Sequence, residues 1–179
     1  MGASAGKKAL HRTLDSIVAG KTETTGEDLG LVFDEYVGKE KKGSTTPRVL
    51  NVQTMRYIFK DIIEYQRKTG LNVFNLTSKA FYASPQYKSM GFLERAGATA
   101  MITGVKATIV TIFDVAMSNY ASDQKMNRML RNFSSDGVVT REIFCEKAIG
   151  VIGTELVAAN LIVSKDIAKG FERYNVSMN

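Results

Sequence analysis

Apolar side chains recur every three or four residues along most of this chain, and no stretch sustains the two-residue alternation of a half-buried strand. The pattern predicts five or six helices and no strand. A first helix is expected from about Lys7 to Val18, with Leu10, Leu14, Ile17 and Val18 apolar and Gly20 ending it. Thr25 would cap a second from Gly26 to Val37, apolar at Leu29, Val32, Phe33 and Tyr36. Glycine, proline and charge over 38–48 mark a flexible basic linker.

A third helix, from about Val52 to Lys68, places Met55, Ile58, Phe59, Ile62 and Tyr65 on one side, with Gly70 as its C-cap. A shorter helical piece follows from Asn75 to Tyr82 and stops at Ser84-Pro85. The fourth long helix runs from Gly91 to Tyr120. Residues 121–139 are polar and contain the turn Ser134-Ser135-Asp136-Gly137. Thr140 would cap a last helix running toward Lys169, with Gly170 near its end.

Two of these segments are almost uncharged. Residues 91–119 carry only Glu94, Arg95, Lys106 and Asp114, and 143–163 only Glu146, Lys147 and Glu155. Such helices are either the centre of a bundle or elements that enter a membrane. The fold expected is all-α: a single-domain helical bundle over 1–179 with these two apolar helices at its centre. Ala96, Ala100 and Gly104 repeat at four-residue spacing, and Gly150 and Gly153 sit on the last helix, so all five are candidate positions for close helix–helix packing. On the fourth helix Arg95, Thr99, Thr103, Lys106, Asp114 and Ser118 form a polar sector, which argues against a simple lipid-facing span and would suit a pore lining. Glu155 falls among apolar neighbours, so either a buried ion pair with Lys106 or Arg95, or exposure at a helix edge, is expected.

Composition adds little to this picture. The hydrophobic fraction of 44% and charged fraction of 23% are those of a globular protein. The net charge of +6 is concentrated in 49–90, which holds six basic and two acidic side chains. Arg56, Lys60 and Arg67 fall on one side of the third helix, a candidate contact for a partner or an anion. Asp61 and Glu64 lie beside them and weaken it. A single cysteine, Cys145, excludes an internal disulfide framework, and its Ile143-Phe144 context points to a buried thiol. A single histidine, His11, in a basic stretch argues against His-based metal binding or catalysis.

The segment from Asn132 to Ile143 has the donor spacing of the first part of an EF-hand calcium loop, with Gly137 at its sixth position. The twelfth position should be Glu and is Ile143, and no partner loop is evident, so a plain helix–loop–helix turn is the expectation. No phosphate loop, metal cluster or nucleophile–base pair appears, and neither an enzyme nor a bound cofactor is expected. Residues 1–8 lack an apolar signal core, so a cytoplasmic protein, or one exported without such a signal, is expected.

The leading functional expectation is a non-enzymatic helical protein that binds other protein chains, including copies of itself. The alternatives are a membrane-active protein that releases 91–119 and 143–163 into a bilayer, and a nucleic-acid-associated protein using 49–90.

Overall fold

The computed structural model describes residues 4–19, 26–39, 42–43 and 45–155. Thr25, Gly20, Lys169, Gly170 and residues 156–163 of the expected last helix lie outside these. The described residues form an all-α chain with seven helices: α1 (Ala5–Val18), α2 (Gly26–Val37), α3 (Val52–Ala83), α4 (Pro85–Lys88), α5 (Phe92–Tyr120), α6 (Asp123–Phe133) and α7 (141–155). Two short strands, β1 (Val49–Leu50) and β2 (Val139–Thr140), were not expected. They pair antiparallel, Val49 with Thr140 and Leu50 with Val139. Two residues are too few to leave a periodic signal in the sequence. The ladder forms because Leu50 and Val139 are both buried there, at 2% and 0% exposure.

The chain divides into two compact units, where the sequence pattern points to one domain over 1–179. The first comprises Met1–Ile63 with Met117–Ala158, and the second Glu64–Ala116 with Ala159–Asn179.

In the first unit Ser4 caps α1, its hydroxyl accepting from the Lys7 N–H at 3.2 Å. Leu10 and Leu14 are buried, as are Leu29, Val32 and Phe33 of α2. The two helices approach closely at Gly6: a Cβ there would lie 2.8 Å from the Leu31 carbonyl oxygen and nearer still to Glu35 Cβ. β1 joins α2 to α3, and β2 joins α6 to α7, so two helix–loop–helix segments meet through the ladder. The calcium-loop-like stretch thus meets Val49 and Leu50 through its end at Val139 and Thr140. Each exit helix is capped at its start. Asn51 Oδ1 accepts from Thr54 N–H at 2.8 Å, and Thr140 Oγ1 from Ile143 N–H at 3.3 Å. Phe144 lies between Phe33 and Phe133, at ring distances of 5.8 and 5.6 Å.

In the second unit α3 does not stop at Gly70; it is continuous to Ala83. A mid-helix glycine costs about 1 kcal/mol against alanine. The buried series Gln66, Phe74, Thr77, Ser78 and Phe81 keeps the same face turned inward past it. Burial of that stripe outweighs the local preference. Ser84 then caps α4, and Pro85 occupies its first turn.

Candidate functional site

α5 is the anomaly of the molecule. Within its 27 residues from Phe92 to Ser118, an 18-residue window reaches a mean hydropathy of 1.6, yet only 17% of that window is buried. The stretch is about 40 Å long, and a bilayer's hydrocarbon core is about 30 Å thick. Ala98, Ile102, Ile109 and Phe113 form a narrow buried seam at about four-residue spacing. Beside them Met101, Val105, Val110 and Ile112 are half-buried, and Phe92 (85%), Leu93 (82%) and Val115 (55%) are exposed.

The expected burial of this helix at a bundle centre is therefore not observed. Ala96, Ala100 and Gly104 are exposed, and a Cβ at Gly104 would meet no atom within 4 Å. Gly150 is equally open, and a Cβ at Gly153 would make ordinary contact with Ile17 Cγ2 at 3.7 Å. None of the five small residues marks a tight crossing among the described residues. The tight crossing is at Gly6, which helical periodicity does not reveal, because a glycine in a first turn reads as a weak helix former.

Three threonines of α5 are internally satisfied, Thr103 of the polar sector and Thr108 and Thr111 outside it. Thr103, Thr108 and Thr111 each donate a hydroxyl to the carbonyl four residues back, at 2.9, 3.0 and 2.9 Å. A hydroxyl paired with its own helix carries a smaller cost in an apolar medium than a free one. Thr103 is thus less of an obstacle to lipid contact than its residue type suggests, while the sector still carries Arg95, Lys106 and Asp114.

The start of α5 is held by a compact corner. Arg95 donates to the carbonyls of Lys88 (2.6 Å) and Tyr87 (3.3 Å) and lies over the Tyr87 ring at 5.3 Å. Tyr87 in turn meets Tyr82 and Phe81 edge-on, at 5.0 and 5.4 Å. Arg95 is therefore a fixture of the α4–α5 turn and not the partner of Glu155.

Glu155 pairs with Lys125 at 3.5 Å and accepts the Tyr120 hydroxyl at 2.5 Å. Lys106 is exposed, so the expected Lys106–Glu155 pair gives way to this Lys125–Glu155–Tyr120 set. Spacing alone could not have found Lys125, because it sits on α6, which reads as a polar segment.

On α3, Arg56 bonds to Gln53 Oε1 at 2.6 Å and forms a salt bridge with Asp123. Lys60 and Arg67 are exposed. The expected basic face thus loses its first member to an internal pair.

The most concentrated polar cluster is beside the ladder. Asp34 accepts from Arg48 and from Arg141, the latter at 3.2 and 3.4 Å, and Arg48 Nε also donates to the Gly38 carbonyl at 2.9 Å. Burial pushes the Asp34 carboxyl up, but the two guanidiniums together hold it below its ordinary value. A cleft of about 920 Å³ opens here, lined by Gly38, Pro47, Arg48, Thr140 and Arg141 among others. Both arginines are committed to Asp34, and the cluster reads as a clasp across the two loops. The 38–48 segment is anchored at its Arg48 end.

In the calcium-loop-like stretch, Asp136 Oδ1 accepts from Ser134 Oγ at 2.7 Å and from Val138 N–H at 3.0 Å. Gly137 takes φ +74°, which glycine adopts freely. The carboxylate is thus occupied in closing its own turn. Among the described residues no three His, Cys, Asp or Glu side chains come together to hold a metal. Cys145 is half-buried, with Sγ 3.8 Å from the Gly26 carbonyl, and burial pushes its thiol pKa up, away from reactivity. His11 lies part-exposed on α1. Comparison with protein-family models, curated proteins and solved structures finds no match to this chain.

Proposed function

We propose that this protein works without catalysis, by conditional association with a lipid bilayer through α5. The observation that carries the reading is the low burial of an apolar helix long enough to cross a membrane. A bundle closed around 91–119 and 143–163 would hide this surface, and the exposure of α5 weighs against that arrangement.

The magnitudes favour conditional over permanent insertion. A span from about residue 93 to 113 holds seven Leu, Ile, Val or Phe residues, each favourable by roughly 0.3–0.6 kcal/mol, or about 3 kcal/mol together. Lys106 near its middle costs about 2.5–3.5 kcal/mol on the same scale. Lys106 alone offsets the aliphatic gain, and Glu94 and Arg95 at the start of the span add to the cost, so a surface potential, a partner or the rest of the chain must supply the remainder before α5 enters.

Flotation of the purified protein with liposomes, together with a dye-leakage assay, tests this. Co-flotation supports it; failure to float with any lipid composition overturns it. A second reading, self-association in solution, is favoured by the exposed row Ala96, Ala100 and Gly104, which would let the same helix of another copy approach closely. Light scattering that finds a stable oligomer, together with absent flotation, would select it. Nucleic-acid binding through 49–90 is not carried further, because Arg56 is held by Gln53 and Asp123.

A further inference from the structure

We infer that the corner joining α3, α4 and α5 is the membrane-docking end of this protein, and that it takes bilayers bearing anionic headgroups. The inference rests on the bilayer reading of α5 and adds to it a lipid class, an orientation and the contacting residues.

The first argument is where the exposed apolar side chains lie. Six large apolar side chains are exposed among the described residues; Phe92 and Leu93 at the start of α5 are 85% and 82% exposed, and Leu76, on α3 two turns before its end, is 69% exposed. Single exposed apolar residues are ordinary, but a cluster at one end of an element marks a contact surface. Phe92 and Leu93 are consecutive and stand at the first turn of α5. Leu76 precedes the exposed Lys79 by three residues, so the two share a face of α3.

The second argument is charge. From residue 79 to 95 the chain carries Lys79, Lys88 and Arg95 against Glu94 alone. The far end of α5 carries the opposite sign, with Asp114 in its last two turns. Lys79 and Lys88 are exposed, and their long stems can lie along apolar surface while the ammonium groups stay at headgroup level. An anionic leaflet attracts the basic end and repels the acidic one, which sets the direction in which α5 meets the bilayer.

The third argument is rigidity. The Arg95 hydrogen bonds and the Phe81–Tyr82–Tyr87 ring contacts fix the turn, so Phe92 and Leu93 are presented without first being ordered. Tyrosines that combine an apolar ring with a polar hydroxyl suit the interfacial zone.

Flotation against two vesicle types tests the inference, one purely zwitterionic and one about one-third anionic, at low and at high salt. A basic residue near such a surface contributes roughly 1 kcal/mol, or about fivefold in affinity. The wild type should bind anionic vesicles at least tenfold more tightly, and the preference should shrink in high salt. Lys79→Gln with Lys88→Gln should erase most of the preference. Phe92→Asp with Leu93→Asp should weaken binding to both vesicles. These four side chains are exposed, and a circular dichroism melt matching the wild type confirms folding. Equal binding to both vesicles would sink the anionic-lipid inference and leave the bilayer reading standing. Binding to neither would sink both. An anionic preference unchanged by the lysine substitutions would place the docking end elsewhere on the chain.

Discussion

Two glycines on similar helical backbone have opposite roles. At Gly6 a Cβ would lie 2.8 Å from a backbone carbonyl of α2, which cannot rotate away. Gly6→Ala gains about 1 kcal/mol of helix propensity but incurs an overpacking cost of ~1–3 kcal/mol, so a net loss is expected in a thermal melt. At Gly104 the surroundings are open. Gly104→Leu should therefore leave the melting temperature of the soluble protein unchanged or raise it, and a clear drop would mean that this face is packed. Asp34 carries a third expectation. Its folded pKa lies below the ordinary 3.8, so its stabilising contribution is complete above the unfolded value and is lost as pH falls through the folded one. Asp34→Asn should cost about 1–2 kcal/mol near neutral pH, since it leaves the part-buried Arg48 with a weaker partner. The gap between denaturant melts of the two proteins should begin to shrink below about pH 4 and close once pH has fallen through the folded pKa of Asp34. A gap that persists into acid would mean that Asp34 contributes through packing rather than charge. None of these three roles is visible in local sequence. The nearest contact of Gly6 is 25 or more residues away, and Arg141 reaches Asp34 across 107.

Helix identity was the legible level. α1, α2, the start of α3 and the extent of α5 follow from apolar spacing, and Thr140 caps α7 as its position suggests. The failures have physical causes. Gly70 carries a local stop signal that a continuing buried stripe overrides, and β1·β2 exists only because two distant apolar residues meet. The 38–48 segment mixes both outcomes. Lys39 and Lys42 are exposed, as expected of a linker, while Arg48 is bound to Asp34 and to the Gly38 carbonyl, and Val49 enters the ladder. Limited trypsin digestion should thus cut at Lys39 or Lys42 well before Arg48, with the fragments read by mass. First cleavage at Arg48 would show that the clasp is open in solution.

At the scale of the whole molecule, hydropathy marks α5 as apolar but cannot separate a core helix from one that waits for a membrane. The two have the same composition, and what distinguishes them is burial, which depends on what the rest of the chain supplies. Among the described residues it supplies cover for a seam of Ala98, Ile102, Ile109 and Phe113 and half-buries Met101, Val105, Val110 and Ile112, while Phe92, Leu93 and Val115 stay exposed. An apolar surface of this length in water favours whatever removes it. A medium that covers α5 should therefore stabilise the protein by mass action, by about 2.7 kcal/mol at a hundredfold excess over the dissociation constant. Melts in the presence of anionic vesicles or a mild non-ionic micelle should shift upward, and light scattering from the free protein should fall when the micelle is added. A protein that scatters light only as a monomer at high concentration and melts at the same temperature with or without lipid would mean that water is a sufficient solvent for α5. The bilayer and self-association readings would then fail together, because both rest on the cost of leaving that surface exposed.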